Sequence, residues 1–532
     1  MTRRLIALVF AILMLTFVLP ACGGDDDDDD AASADDDAVD DDDTSDDDDT
    51  ADDDTADDDD TADDDDDTSD DDDDTGDDDT SPECPQEPLD SAVYDESPGA
   101  GPLRQKAEEY DLWHEQWHQP GYGSTVEVYF KDASRDEAVG YGGTGDSCIW
   151  TGTYLGSQAL RYHVTGDAQA KANILKSVSA LHRHLKVTGR TGFIARYVGD
   201  QSDPAHAGDV ARCETEPEYT HCLDSGEYAG DFWKGNTSRD QYTGWFFGMS
   251  MAYDYLEDEA MRQTIREDVT EVLDALIAQD WKIIDVDGKP TGAAPSIIST
   301  QQMAWSLIGY HMTGEERFWD WVEYWTDPER ESSLNFTNIA IINRYAQHYG
   351  LNLAHTNFYG LLRLSRPYCD INEKVRALFN DKLVPVVYLQ HNAWYTMVNL
   401  AQSGLLEEGL GSEESDDSID QVVTDLTDFR DAPNDSYYLE PPEPDALDPI
   451  SVLLTDLQTQ FPFLADIMGT AHYQAAEAYP VNQQCSTDFL WQRNMWNISP
   501  CGSDNPTHVN PGADYLLAYW LASAYGVVTK DQ

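Results

Sequence analysis

Two aspartates open closely similar stretches of this 532-residue chain. Asp146 precedes Thr151-Gly152-Thr153-Tyr154-Leu155-Gly156-Ser157, and Asp240 precedes Thr243-Gly244-Trp245-Phe246-Phe247-Gly248-Met249-Ser250. Each reads as Asp, then Thr-Gly-x-x-x-Gly at the start of an apolar helix. If the repeat marks equivalent places on successive structural units, the two carboxyls share one rim despite their distance in sequence. Such a pair can cut a glycosidic bond: one acid protonates the leaving oxygen, and the second carboxylate activates water or attacks the sugar carbon. Arg239, beside Asp240, is expected to keep that carboxyl ionised for the base or nucleophile role. Asp146, next to Gly145 and with no adjacent cation, is expected to be the acid. The competing reading makes both aspartates helix N-caps, a position Asp prefers.

Further candidates lie between Arg196 and Tyr242, a long polar insertion that carries Tyr197, Tyr228, Phe232 and Trp233. Loops of this length in a compact domain are functional or disordered. Aromatic faces suit the apolar C–H faces of sugar rings, and the chain holds 14 Trp and 28 Tyr. Most of these must be core in a helix-rich protein. Trp233, flanked by Asp231, Lys234 and Gly235, is the expected exception, with Arg196, Arg239 and Tyr242 as neighbouring contacts. A second constellation comprises His355, Asn357 and Tyr359, with Arg344, His391, Asn392, Trp491, Arg493 and His508. A β-elimination on a uronate needs this kit: Asn or Arg to neutralise the carboxylate, His or Tyr to move the proton. Taken singly, each is better explained as a satisfied polar group at a helix end.

No G-x-S-x-G, HExxH, P-loop or dinucleotide fingerprint occurs, so the common serine hydrolases, zincins and nucleotide enzymes drop from the leading readings. Asp285-Val286-Asp287-Gly288 lacks the later ligands of a calcium loop and reads as a hairpin turn. No cofactor and no metal site are expected. Cys213 with Cys222, and Cys485 with Cys501, each close a short polar stretch and are expected to pair. Cys84, Cys148 and Cys369 leave one cysteine over.

The elements that hold these residues are helical almost throughout. Ile174, Val178, Leu181 and Leu185 mark one amphipathic helix, and Met261, Ile265, Val269, Val272 and Leu276 another. Each follows a helix that is apolar nearly all round, and Tyr515–Ala522 is a third of that type. Short turns at Thr165-Gly166-Asp167, Glu257-Asp258 and Thr313-Gly314-Glu315-Glu316 join the pairs, with a carboxylate near the next helix start. Buried helix, tight turn, amphipathic helix and longer return describe a ring of αα-hairpins, about twelve helices between Pro102 and Gly526. Short strands are expected near Thr125–Phe130, Gly192–Val198 and Ile283–Pro290.

This rhythm, with its inner-helix aspartates and aromatic content, resembles the (α/α)6 toroid of six-hairpin glycosidases and related polysaccharide lyases. The resemblance spans most of Pro102–Gly526. It implies an all-α toroid with a few short strands in rim loops and a carbohydrate cleft at the inner-helix ends.

The chain opens with Arg3 and Arg4, an apolar run from Leu5 to Leu19, and then Pro20-Ala21-Cys22. That pattern reads as the signal of a bacterial lipoprotein, with residues 1–21 removed and Cys22 lipidated. From Asp25 to Thr80 the chain holds 37 Asp and no Lys or Arg. Nothing there can offset conformational entropy by burial, so residues 22–83 are read as an extended tether. Its reach is on the order of 190 Å. About half of the net charge of −74 sits in it. The remainder is still acidic, which makes nucleic acid a poor partner. The expectation is an exported, lipid-anchored cell-envelope protein whose domain, residues 84–532, processes glycans. Hydrolysis stands first, β-elimination and non-catalytic glycan binding as alternatives.

Overall fold

The computed structural model describes residues 101–330, 344–346, 348–402 and 413–532. The signal segment, Cys22, the Asp-rich tract and Cys84 lie outside the described residues. The helices in chain order are α1 (Pro102–Trp117), α2 (Ser147–Thr165), α3 (Ala168–Lys186), α4 (Ala207–Thr215), α5 (Arg239–Tyr255), α6 (Glu259–Ala278), α7 (Ser299–Thr313), α8 (Glu316–Thr326), α9 (Tyr349–Leu364), α10 (Cys369–Lys382), α11 (Ala393–Gln402), α12 (Glu413–Asp428), α13 (Pro449–Gln460) and α14 (Ala513–Ala524). Two shorter helical turns, Val384–Val387 and Phe463–Met468, carry no label.

Two concentric layers result. Helices α2, α5, α7, α9, α11 and α14 pack side by side in a closed inner ring, with α14 returning to α2. Helices α3, α6, α8, α10 and α12 each back the inner helix before them, and α1 backs α14. The ring is therefore closed by the first and last hairpin partners of the domain. Residue choice follows the layers. On α5, Trp245, Phe246, Phe247, Met249 and Met251 are all buried, as a helix ringed by others requires. On α6, Ile265, Val269, Val272 and Leu276 are buried on one face only. Each such side chain contributes about 1.5–3 kcal/mol by leaving water. Gly166 (φ 66°) and Gly314 (φ 69°) end α2 and α7 in the left-handed conformation. Asp167 and Asp258 then cap α3 and α6 by accepting from the Gln169 and Met261 amides.

The closest packing in the ring joins α2 to α5. A Cβ on Gly152 would lie 1.9 Å from the Gly244 carbonyl oxygen, one on Gly244 2.4 Å from the Ile149 Cα, and one on Gly248 2.6 Å from the Gly152 oxygen. Gly152 of the first Thr-Gly-x-x-x-Gly run thus meets Gly244 and Gly248 of the second, backbone on backbone, while Gly156 makes room for the Phe247 ring.

The strands are few and short, as expected, and lie in the connections between helices. β1 (Glu127–Phe130), β2 (Ala138–Gly142), β6 (Asn434–Ser436) and β7 (Asn505–Asn510) form an antiparallel sheet in the order β2-β1-β7-β6. β3 (Tyr197–Asp200), β4 (Thr220–Cys222) and β5 (Asp231–Lys234) form a second, in the order β3-β5-β4. Val126, Val128, Phe130, Tyr197, Phe232 and Val509 share a small core of their own. The expected strand at Ile283–Pro290 reduces to a single bridge between Ile284 and Pro290. β2 leads into α2 and β7 into α14, so the first sheet fixes where two inner helices begin.

At the far end of α5, Asp254 accepts from Arg363 (2.5 Å) and bonds His311 (2.6 Å), tying α5, α7 and α9 together. Burial alone would raise the Asp254 pKa, but Arg363 and His311 outweigh it and hold it at about 2. Cys213–Cys222 and Cys485–Cys501 are bonded as expected. Cys369 is also disulfide-bonded, and Cys148 is a buried free thiol.

The α2–α5 contact makes a direct prediction. Gly244→Ala forces backbone apart and should cost about 1–3 kcal/mol or more, seen as a lower thermal midpoint. Gly145→Ala, whose Cβ would meet open space, should leave the midpoint nearly unchanged.

Candidate active site at the mouth of the ring

Because every hairpin returns the chain to the same end, the inner helices all enter the ring from one side. Asp146 occupies the N-cap position of α2, yet its side chain makes no capping hydrogen bond. Gln241, from the first turn of α5, does that work instead. Its Oε1 accepts from the Ile149 amide at 3.0 Å, and its Nε2 donates to Asp146 Oδ1 at 2.8 Å. The N-cap reading of Asp146 therefore fails for its side chain. The carboxyl is held in place by α5 and left available. Its side chain keeps 44 % exposure, but the group is crowded by protein. That crowding, with the negative charges of Asp488 and Asp240, raises its pKa to about 6 against the pull of Arg196 and the Gln241 hydrogen bond.

Arg196 stands at the edge of the site. It donates to the Asn236 and Gly145 carbonyl oxygens at 2.9 and 3.0 Å, and its guanidinium lies 3.9 Å from Asp146 Oδ1. So Asp146 does have a cation close by, contributed from β3's approach rather than from its own sequence neighbours. Asp240 is the second residue of α5, where the helix dipole favours a negative charge. Its carboxylate accepts no hydrogen bond from any described residue. The expected Arg239–Asp240 ion pair does not form: the Arg239 guanidinium has no hydrogen bond or ion pair with any described residue. Adjacent positions on a helix point about 100° apart, which separates the two groups.

Two aspartates that sequence reasoning passed over complete the cluster. Asp488 lies in the loop stapled by Cys485–Cys501. It accepts from the Trp150 indole at 2.9 Å, the Phe489 amide at 2.8 Å and Thr487 Oγ1 at 2.7 Å, with Arg493 at 3.5 Å. Trp150 stands one turn into α2 and its amide bonds the Asp146 carbonyl, so Asp488 is locked over the start of that helix. Asp514, in the first turn of α14, is fully buried and accepts from the Leu490 and Tyr515 amides. Burial is the main reason its pKa rises to about 7, with Asp488 adding to it. Asp514 directly precedes the apolar run Tyr515–Ala522 that marked this helix in the sequence. Asp488 carried no local signal beyond its place between two paired cysteines.

Several other expected contacts lie elsewhere. Trp233 of β5 is 3 % exposed and stacks at 4.0 Å on His221 of the neighbouring β4, so it is no platform for a sugar. Tyr242 is buried and donates to the Gly192 carbonyl at 2.9 Å. His355 is buried against Tyr395, bonds the Leu351 carbonyl, and is held neutral by burial, its pKa about 3. Asn357 is buried and accepts from the Trp305 indole. Trp491 is buried, and its indole donates to the Asp514 carbonyl. It supports the mouth from behind rather than lining it. His508 bridges Glu127 (2.7 Å) and Ser436 (2.6 Å) on the four-stranded sheet. Arg493 is exposed at the mouth, with a 2.8 Å bond to Thr487. Of the expected site residues, Asp240 and Arg196 lie close enough to act on Asp146, and Arg493 reaches the same cluster through Asp488. Among the described residues no cluster of His, Cys, Asp or Glu could hold a metal ion, and no helix is long and apolar enough to cross a membrane.

No protein-family model matches the sequence, and no curated protein does. Among solved structures, the chain is similar to the cellulase Cel9M of C. cellulolyticum, at 12% identity and a TM-score of 0.35, over 74% of this chain and 88% of that one.

The raised carboxyls have a consequence for stability. Asp111, Asp146 and Asp425 at about 6, and Asp514 at about 7, lie above the value near 4 of an unfolded Asp. Between those values the folded state binds more protons than the unfolded. Their contribution is full below about pH 4 and is lost as pH rises through 6–7. Asp514→Asn removes its share of this dependence, so the thermal midpoint of that variant relative to the wild type should rise between pH 5 and pH 8.

Proposed function

We propose that this protein hydrolyses glycosidic bonds at the mouth of its helical ring. Asp146 serves as general acid and Asp240 as the carboxylate that activates water or attacks the sugar carbon. The observation that carries this reading is the division of labour around Asp146: Gln241 caps α2 in its place, leaving a water-accessible carboxyl whose pKa of about 6 suits proton donation near neutrality. Asp240 lies in the first turn of the neighbouring inner helix, close enough for its charge to act on Asp146, and its carboxylate accepts no hydrogen bond from any described residue. The acid delivers its proton to the leaving oxygen as the C–O bond breaks. The second carboxylate takes a proton from water, or bonds the sugar carbon, on the opposite side. The elimination kit fares less well, because His355 and Asn357 are buried inside the ring rather than at its mouth.

The same reading places the domain outside the cytoplasm on a lipid carried by Cys22. Its two intact short-loop disulfides agree with an oxidising compartment. Cys22→Ser should move the protein from the membrane fraction to the soluble one.

Catalysis is tested by release of reducing ends from a panel of defined glycans. Asp240→Asn and Asp146→Asn should each lower kcat/KM by about 100-fold or more. The wild-type profile should fall as pH rises through about 6, where Asp146 loses its proton. Arg196→Gln removes the cation that opposes the shift and should move that limb to higher pH. Glycan binding with no product, unchanged by either Asp substitution, would identify a binding protein instead.

A further inference from the structure

Cys84, Cys148 and Cys369 remain after the two short-loop disulfides. Cys22 does not compete, since the lipoprotein reading places the lipid on its sulfur. The ring sets two of the remaining cysteines at opposite ends. Cys148 is the second residue of α2, at the mouth. It is wholly buried, and its thiol donates to the Gln241 carbonyl at 3.8 Å. Cys369 is the first residue of α10, just past the turn that ends α9. That turn lies at the base, shortly after Arg363, which locks α9 to α5 there. Tyr368 packs on Tyr310 and Trp319, at the end of α7 and the start of α8, at 6.3 and 4.7 Å. Asn372 ties α10 back to α9, donating to the Leu362 carbonyl and the Ser365 hydroxyl, both at 2.9 Å.

An inner helix such as α9, with 16 residues, is about 24 Å long, which sets the distance between base and mouth. A disulfide needs Cα atoms within about 7 Å of each other. Cys148 and Cys369 therefore cannot join while the ring is intact. Cys369 is nevertheless disulfide-bonded, and it lies exposed on the surface, open to a partner from outside the ring. Among the described cysteines Cys148 is the free one.

We propose that Cys369 is bonded to Cys84, so that the residue at which the acidic tether ends is bolted to the base of the ring, opposite the mouth. The chain from Cys84 to Gly101 can span up to about 60 Å, enough to reach α10 from the start of α1 with slack. That start is held by hydrogen bonds: the Gly101 and Leu103 amides donate to the Lys530 and Gln532 carbonyls at 3.1 and 3.0 Å. With the disulfide in place, a pull on the tether is taken up by a covalent link to α10 before it reaches these contacts. Forming the link removes a proton from each thiol and joins the two sulfurs. The two electrons pass, through a mixed disulfide, to a thiol–disulfide oxidant of the exported compartment. The pairing goes beyond the glycan reading and does not depend on it.

The test is peptide mapping of the unreduced full chain, alkylated first in the folded state. A cross-linked pair of peptides carrying Cys84 and Cys369 is expected, with Cys148 alkylated only after unfolding. Cys369→Ser should leave Cys84 as a free thiol, and Cys84→Ser should do the same for Cys369. Both variants should lower the thermal midpoint by about the same amount, and the double variant no further than either. Cys369 recovered as a free thiol, joined to Cys148 or joined to a second copy of the chain overturns the proposal. A double variant whose loss is the sum of the two single losses overturns it as well. These outcomes leave the hydrolysis proposed for the mouth untouched, and a glycan panel without product would leave the disulfide standing.

Discussion

The approach of α2 to α5 sets the terms for everything at the mouth. Where Gly152, Gly244 and Gly248 meet, no side chain fits between the two backbones, so the helices cross at contact distance. Any β-carbon there would push their first turns apart. Those first turns carry Asp146 and Asp240, and between them sits Gln241, whose amide must reach both the Ile149 amide and the Asp146 carboxyl. A hydrogen bond of 2.8–3.0 Å tolerates little extra separation. The glycines carry no reactive group, but they decide whether one glutamine can span two helices.

The ring also keeps its charges in two different states at its two ends. At the far end, Asp254 is fully matched by Arg363 and His311, and its pKa falls to about 2 despite burial. At the mouth, Asp146 and Asp514 lack a comparable cation and rise to about 6 and 7. Both ends are crowded, so burial alone does not separate them. The difference is the partner. A buried ion pair with good geometry locks three helices at the base, where its partial removal would be costly. An unmatched acid at the mouth is unfavourable for stability and useful for proton transfer, the usual trade at a site that does chemistry.

Much of this could be read from the residues. Apolar period and turn chemistry located the helical hairpins, since a 3.6-residue repeat ended by Gly166 or Gly314 has few other solutions. The twin Asp…Thr-Gly-x-x-x-Gly runs pointed at the pair that shares the mouth. What escaped was anything that depends on which face a polar or aromatic residue presents. Trp233 looked like a surface platform because charged residues flank it, but β5 is covered on both faces, with Trp233 in the helical core and Phe232 in the small core of the strands. His355 and Asn357 sit on an inner helix that is enclosed on every side, so their polarity is answered by the Leu351 and Leu353 carbonyls and by Trp305. Gln241 and Asp488 are ordinary residues in the sequence. Their roles come from partners on α2, far away along the chain.

Gln241 also shows how one position can satisfy two demands that compete. The start of α2 needs an acceptor for its free amides, and Asp is a preferred residue to supply one. A carboxylate so used is bonded to amides, and such bonds favour the ionised form and lower its pKa. An aspartate that capped α2 would therefore be a poor proton donor near neutral pH. By supplying the acceptor from α5, Gln241 lets Asp146 keep the cap position without the cap bond. Its single amide donor to Oδ1 pulls the pKa down less than crowding and the neighbouring carboxylates push it up. The acid is thus made by assigning the structural duty to another helix, and that assignment is possible only because the two backbones touch.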